Sequence, residues 1–322
     1  GRVVDSALFL GPLIHEFGWT ADQFDLLAAG TLAGHLLECG AQVTGGTFTD
    51  WRDVPDWANI GFPVAECRAD GSFVVTKPEG TGGLVSVGTV AEQLLYEIGD
   101  PQAYIVPDVV CDFSGARLEQ VAANRVAVSG AKGYPPTDQH KVCVTYDDGW
   151  RSVALIPIVG IDAAAKARRT AEALIKRTEA LLAGQNKAGW RGTHVEVIGA
   201  EASYGARARV HDPREVLLKI IVDHDDPAAA ALFGREQSTA ILNMAQGTSI
   251  APIVAAPRAF PLTGMMLFLL DKGHAVARVT LDGVEVPFRD AELAGFHADL
   301  IAPHAVSAPP EPRADDVAVP LI

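Results

Sequence analysis

After residue 140 the apolar residues follow one another in an order that few folds can satisfy. Lys141–Tyr146 and Arg151–Ile158 alternate as strands do, parted by Asp147-Asp148-Gly149. Ala163–Ala183 follows as a long helix, with Ala171, Leu174, Ile175, Thr178, Leu181 and Leu182 on one stripe. Thr193–Ile198 and Val216–Asp223 read as strands, Pro227–Met244 as a second helix, and Phe260–Leu270 and Ala275–Leu281 as closing strands. Strands repeat with every second residue and helices with every third or fourth, so the two patterns separate on the page. Strand, helix, strand, strand, helix, strand is the split βαβ plan of a ferredoxin-like βαββαβ sandwich.

The first half is less regular. Asp5 is placed to cap a short helix carrying Leu8, Leu13, Ile14 and Phe17, ending at Gly18. Thr20 with Gln23 three residues on has the spacing of a capping box, before a stripe of Phe24, Leu27, Leu32, Leu36 and Leu37 that ends at Gly40. Strands are expected at Pro63–Arg68 and Ser72–Lys77 around the turn Asp70-Gly71, then a helix over Val87–Ile98, then strands at Pro107–Phe113 and Arg125–Ser129. A composition shift over Gly130–Gln139, with Pro135-Pro136, marks a boundary. The expected fold is therefore α/β (α+β). Residues 1–135 form the C-terminal part of an α/β domain with glycine-rich loops, 136–300 a ferredoxin-like domain, and 301–322 a Pro-, Ala- and acid-rich linker.

Composition narrows the function classes. Forty acidic residues against 26 basic leave a formal charge of −14, without the clustered Lys and Arg that duplex binding needs, though a local basic pocket for one carboxylate or phosphate stays open. The longest uncharged apolar stretch, Phe260–Leu270, is far short of the roughly 20 residues that cross a bilayer. Neither nucleic acid nor membrane is expected as a partner. Cys39, Cys67, Cys111 and Cys143 show no C-x-x-C spacing, and since three of them sit in apolar or strand-like company, buried free thiols in a reducing cytoplasm are expected.

There is no phosphate loop of the G-x-x-x-x-G-K-[ST] type, no G-x-G-x-x-G, no G-x-S-x-G and no H-E-x-x-H. Two glycine-rich segments remain. Gln42-Val43-Thr44-Gly45-Gly46 follows a helix, while Lys77-Pro78-Glu79-Gly80-Thr81-Gly82-Gly83 lies between a strand and a helix. The second suits an anion, because glycines let the backbone approach, N–H groups at a helix start attract negative charge, and Lys77 adds a cation. An ordinary tight turn uses the same residues.

His35 and Glu38 lie three apart on one helix, so they share a face and converge with Gln42 and Thr44 on the glycine loop. Such a pair can serve as general base or metal ligand, or simply hydrogen-bond at a helix end. Arg2 is a candidate carboxylate clamp through its forked guanidinium. Asp112 is either a site acid or a strand-end carboxylate. The other histidines (His15, His140, His194, His211, His224, His274, His297 and His304) have no convergent partners, and His224-Asp225-Asp226-Pro227 reads as a helix cap before a metal site. Metal and cofactor requirements are unknown at this stage.

Gly34-His35-Leu36-Leu37-Glu38-Cys39-Gly40-Ala41-Gln42-Val43-Thr44-Gly45-Gly46 resembles the acyclic terpene utilisation AtuA family, once a domain of unknown function. So do Gly1-Arg2-Val3-Val4-Asp5, Lys77–Gly83, Glu92–Pro101 and Pro107–Phe113. The resemblance implies a bacterial catabolic role on citronellol- and geraniol-type terpenoids through branched acyl-CoA intermediates, and carries over no settled catalytic residues. It also implies an α/β segment before Gly1 and, after a linker, a small AtuA-like C-terminal domain or subunit, so both ends are expected to be cut from a longer chain. The expected activity is that of a cytoplasmic hydratase or lyase on a branched carboxylic acid or acyl-CoA. His35 or Glu38 is the expected base; Arg2, Gln42, Thr44, Gly45, Gly46, Lys77, Thr81, Gly82, Gly83 and Asp112 are the expected substrate contacts. The alternative is a non-catalytic subunit that binds the small AtuA-like partner.

Overall fold

The computed structural model describes residues 9–210, 212–249, 258–275 and 278–286. Arg2, Asp5 and the expected linker 301–322 lie outside them. Six α-helices are described: α1 (Leu10–Phe17), α2 (Phe24–Glu38), α3 (Val87–Leu95), α4 (Ala163–Gly184), α5 (Pro227–Glu236) and α6 (Thr239–Asn243). The strands of the first part of the chain are β1 (Val64–Cys67), β2 (Phe73–Thr76), β3 (Tyr104–Ile105), β4 (Val110–Asp112), β5 (Arg117–Ala122), β6 (Arg125–Ser129) and β7 (Lys132–Tyr134). Those that follow are β8 (Gln139–Val159), β9 (Gly192–Ile198), β10 (Glu215–His224), β11 (Phe260–Asp271), β12 (Val279–Leu281) and β13 (Val284–Val286). The chain divides into two compact units, one holding the described residues up to Val142 and from Phe268 on, the other Cys143–Leu267.

In the first unit α2 is the organising element. Its residues from Leu27 to Leu36 are all buried, so no face is left for water. A helix apolar all round is an interior helix, and α2 packs against α1, α3, β4 and β7. Two sheets surround it, in the orders β1-β2-β6-β5 and β3-β4-β7. Their ladders are antiparallel, as are all ladders whose register is described. The described part of this unit is therefore α+β, with hairpins joining β1 to β2, β3 to β4 and β5 to β6.

Local details differ from expectation for identifiable reasons. Thr20 does not cap α2: its hydroxyl turns to Asp22 Oδ1 and only the reverse half of the box forms, Thr20 N–H donating to Gln23 Oε1 at 2.8 Å. The helix accordingly begins at Phe24. A full capping box occurs instead at α3, between Ser86 and Thr89. At Asp70-Gly71 the expected turn forms, with Gly71 at φ 82° and the Asp70 carboxylate accepting from Ser72 N–H.

The second unit carries the sheet β11-β8-β10-β9. Along β10 burial alternates, with Val216, Leu218, Ile220, Val222 and His224 facing inward, and α4 and α5 both pack on it. The α4 stripe includes the expected Ala171, Leu174, Thr178 and Leu182. The expected break at Asp147-Asp148-Gly149 is absent, and β8 runs through it. Gly149 takes φ 84° as a kink within the strand, and the Arg191 guanidinium bonds both the carboxylate and the carbonyl of Asp148. Pro227–Met244 is two helices, divided at Gln237-Ser238. Asp226 caps α5 through Ala228 N–H, as the cap reading of the His224 run expects. Among the described residues no helix is long and apolar enough to cross a membrane.

Candidate functional site

Two glycine segments far apart in sequence meet in the first unit. Leu84 N–H donates to Thr44 O, Gly83 N–H to Pro55 O and Gly82 N–H to Asn59 O, each at 2.8 Å. Gly61 N–H returns a bond to Gly82 O at 3.1 Å, and the buried Thr44 hydroxyl lies 2.6 Å from Gly61 O and 3.0 Å from Ala41 O. The backbones approach so closely that side chains are excluded. A Cβ on Gly82 would stand 2.0 Å from Asp56 O, one on Gly83 2.6 Å from Thr44 O, and one on Gly45 2.8 Å from a Val54 methyl. Gly46 N–H is spent on Ala41 O and Gly45 N–H on Gln42 O. These glycines thus form a backbone junction in which the N–H groups expected to cradle an anion are committed to carbonyls. Two N–H groups at the start of α3 are committed too, since Val87 N–H donates to Gln120 Oε1 and Thr89 N–H to Ser86 Oγ.

On one side of this junction lies a cleft of about 610 Å³, walled by β1 and β2, the 77–81 loop and the β5–β6 turn. Lys77 Nζ donates to Thr81 O at 2.6 Å and stands 3.4 Å from Thr81 Oγ1, while the Thr81 hydroxyl donates to Pro78 O at 2.6 Å. The loop therefore fixes the ammonium on the cleft wall. An ammonium has three N–H groups, and one remains after Thr81 is served. Across the cleft the Arg125 guanidinium grips the Glu66 carboxylate with both of its terminal nitrogens, one at 2.9 Å. That pairing holds Glu66 below the usual carboxylate range and raises Arg125. Glu79 and Asn124 complete the polar wall. Glu79 forms no ion pair with any described residue.

Lys77 and Thr81 are thus brought together, and Thr44, Gly45, Gly82 and Gly83 meet at the junction behind them. His35 stands elsewhere. It is 3% exposed in the core of the unit, its ring 5.7 Å from that of Tyr104, while its carbonyl accepts from Gln93 Nε2 at 3.0 Å. Glu38 is on the surface, accepting from the Cys39 thiol at 2.8 Å. Burial and that carboxylate push Cys39 up to about 11. One turn of α2 thus puts the two in different environments. Asp112 accepts from both the N–H and the hydroxyl of Ser114, a strand-end turn. Gln42 is half-buried beside its loop.

Glu66, Asn124 and Arg125 escaped the sequence reading. The signal was available at Asn124, which has φ 55° and closes the β5–β6 hairpin. That turn puts Arg125 at the head of β6, and the ladder of β6 with β2 then brings it beside the Lys77 loop. All four cysteines are free, but only Cys111 is fully buried and Cys143 is exposed, contrary to the expectation of buried thiols. Among the described residues no group of three or more His, Cys, Asp or Glu is placed to hold a metal ion.

No curated protein and no solved structure matched the chain. The sequence model described as acyclic terpene utilisation family protein AtuA matches residues 1–281 of the 322. Coverage of that extent takes in the glycine junction, the Lys77 cleft and most of the second unit alike, and the chain belongs to the acyclic terpene utilisation AtuA family.

Proposed function

We propose that the chain is a hydratase- or lyase-type enzyme of terpenoid breakdown, acting on a branched carboxylic acid or its CoA thioester. The observation that carries this reading is the Lys77 ammonium, fixed by Thr81 on the wall of a cleft of ligand size with an N–H to spare. That group binds a substrate carboxylate, or the oxyanion that develops on a thioester carbonyl when the neighbouring carbon loses its proton. Glu79, unpaired on the same cleft, takes the proton. His35 and Glu38 are the competing bases. His35 needs the core to open before it can touch substrate, which disfavours it. The second unit is read as the ferredoxin-like domain, supported by the strand order β11-β8-β10-β9, in which the two βαβ halves interleave.

A second reading, the non-catalytic subunit, draws on β11. Met265, Met266 and Leu267 are half or more exposed on it, and a run of apolar side chains on an edge strand favours a protein partner. The occupant in that reading is the small AtuA-like domain.

Thermal denaturation of the full chain with branched acids and their CoA thioesters tests both. A ligand at about 100 times its Kd adds about 2.7 kcal/mol of stability, a readily measured rise in Tm. The enzyme reading expects that rise, its loss in Lys77→Ala, and turnover reduced about a hundredfold or more in Glu79→Gln. Full turnover in Glu79→Gln with loss in Glu38→Gln or His35→Asn moves the base. No acyl ligand raising Tm, with stabilisation by the small domain alone, establishes the second reading instead.

A further inference from the structure

A different cavity, inside the second unit, has the chemistry of an anion site. It measures about 430 Å³ and is walled by α4 and by the segment that ends α6. Lys166, Arg169, Thr170 and Ala173 stand on α4 at spacings of three, four and seven residues, so they share one face. Asn243 and Gln246 supply carboxamides from the opposite wall, and no carboxylate lines the cavity. Neither Lys166 nor Arg169 has an ion-pair partner among the described residues. The chain as a whole carries a formal charge of −14, whereas this cavity is lined by two cations and no acid.

A second observation points the same way. Thr170 is 2% exposed, and its hydroxyl oxygen is buried with no hydrogen-bond partner. Threonines within helices ordinarily bond back to a carbonyl of the preceding turn, as Thr178 does on this same helix to Leu174 O at 2.8 Å. A buried hydroxyl left unmade costs about 1–3 kcal/mol, so its place on the wall of a cationic cavity needs a reason. The chain that follows the opposite wall is tied to β8. Val159 N–H donates to Gly247 O and Ser249 N–H to Pro157 O, both at 3.0 Å, and a Cβ on Gly247 would stand 2.1 Å from Val159 O. This segment is pinned to β8 before any ligand arrives.

We propose that this cavity binds the phosphoryl group of a small phosphomonoester whose apolar part lies against Ala173 and Met244. A phosphomonoester carries up to two negative charges and three acceptor oxygens at neutral pH, which two cations, two carboxamides and one hydroxyl satisfy. A carboxylate carries one charge and leaves donors unused. The site is independent of the Lys77 cleft and of any acyl chemistry assigned to it.

Isothermal titration of the full chain with phenyl phosphate, inorganic phosphate and benzoate tests the assignment. Phenyl phosphate is expected to saturate one site, about tenfold or more tighter than benzoate. Arg169→Gln and Lys166→Gln are each expected to weaken it about tenfold, with an unchanged circular-dichroism spectrum. Thr170→Val is expected to weaken it severalfold while Thr170→Ser retains it. No saturable heat with phenyl phosphate up to about 10 mM overturns the proposal. So does benzoate binding as tightly, or full affinity in folded Arg169→Gln.

Discussion

Gly82 and Gly133 are positions where one added carbon has nowhere to go. A Cβ would fall 2.0 Å from Asp56 O at the first and 1.9 Å from Phe24 O at the second, and both obstacles are backbone. Gly184, at the end of α4, has nothing within 4 Å of the same atom. Alanine at Gly82 or Gly133 is therefore expected to cost about 3 kcal/mol or more, through displaced backbone. Alanine at Gly184 is expected to add roughly 0.5 kcal/mol by stiffening the unfolded chain. Urea midpoints of the three variants check this, and equal midpoints would contradict the junction geometry. The glycines were legible in the sequence as a cluster, but their role was not. Glycine marks close approach without saying what approaches, and at Gly82 and Gly83 it is the backbone of Asp56 and Thr44. Lys77 and Thr81 were legible because a cation flanking such a loop is conspicuous. Arg125 was not, since it reaches Glu66 only through the pairing of β6 with β2, strands far apart in sequence.

Elements were readable in proportion to their amphipathic contrast. On β10 and α4 a buried face meets a wet one, and the pattern alone places them within a residue or two. Strand β5, Arg117–Ala122, has no buried residue at all, so nothing in its sequence announced it. The strand exists because β6 pairs with it. On β8 the strand continues through the turn-like Asp147-Asp148-Gly149, and its ladder with β10 begins directly after it, running from Trp150 to Val159. The buried face of β8 is Ser152, Ala154, Ile156 and Ile158, and the Ser152 hydroxyl is fully buried without a partner. Removing an unsatisfied polar atom from an apolar face is favourable. Ser152→Ala is expected to raise stability by about 1 kcal/mol, visible as a higher urea midpoint with an unchanged slope. A lower midpoint would mean that the hydroxyl has a partner after all.

Across the whole molecule, stability is expected to hold between about pH 5 and 9 and to fall on both sides. Arg125 holds Glu66, His194 and Lys219 hold Glu196, and Lys187 holds Asp226, each below its ordinary value of 4.5, 4.5 or 3.8. A carboxyl depressed by folding binds more protons when unfolded, so its contribution is present above that ordinary value and disappears as pH falls through the folded one. The thiols act in the opposite direction. Burial pushes Cys111 up to about 12 and Cys39 up to about 11 from an ordinary 9.0. Between pH 9 and 11 the unfolded chain therefore holds fewer protons than the folded one, and stability declines as pH rises. Urea midpoints measured from pH 3 to 11 check both limbs, and the alkaline limb flattens in Cys39→Ser.

The backbone junction also sets a timetable for the newborn chain. Thr44 O receives its bond from Leu84 N–H, forty residues downstream, and Asn59 O waits for Gly82. A ribosome adding about 5–20 residues per second needs roughly 2–8 s to bridge the longer of those gaps. Throughout that interval the loop from Thr44 to Gly61 is emerging without its counterpart, and the Thr44, Pro55 and Asn59 carbonyls that await it have only water for company. The nascent segment is thus open to holdase chaperones and proteases for seconds, and it closes to both when the second glycine loop is delivered.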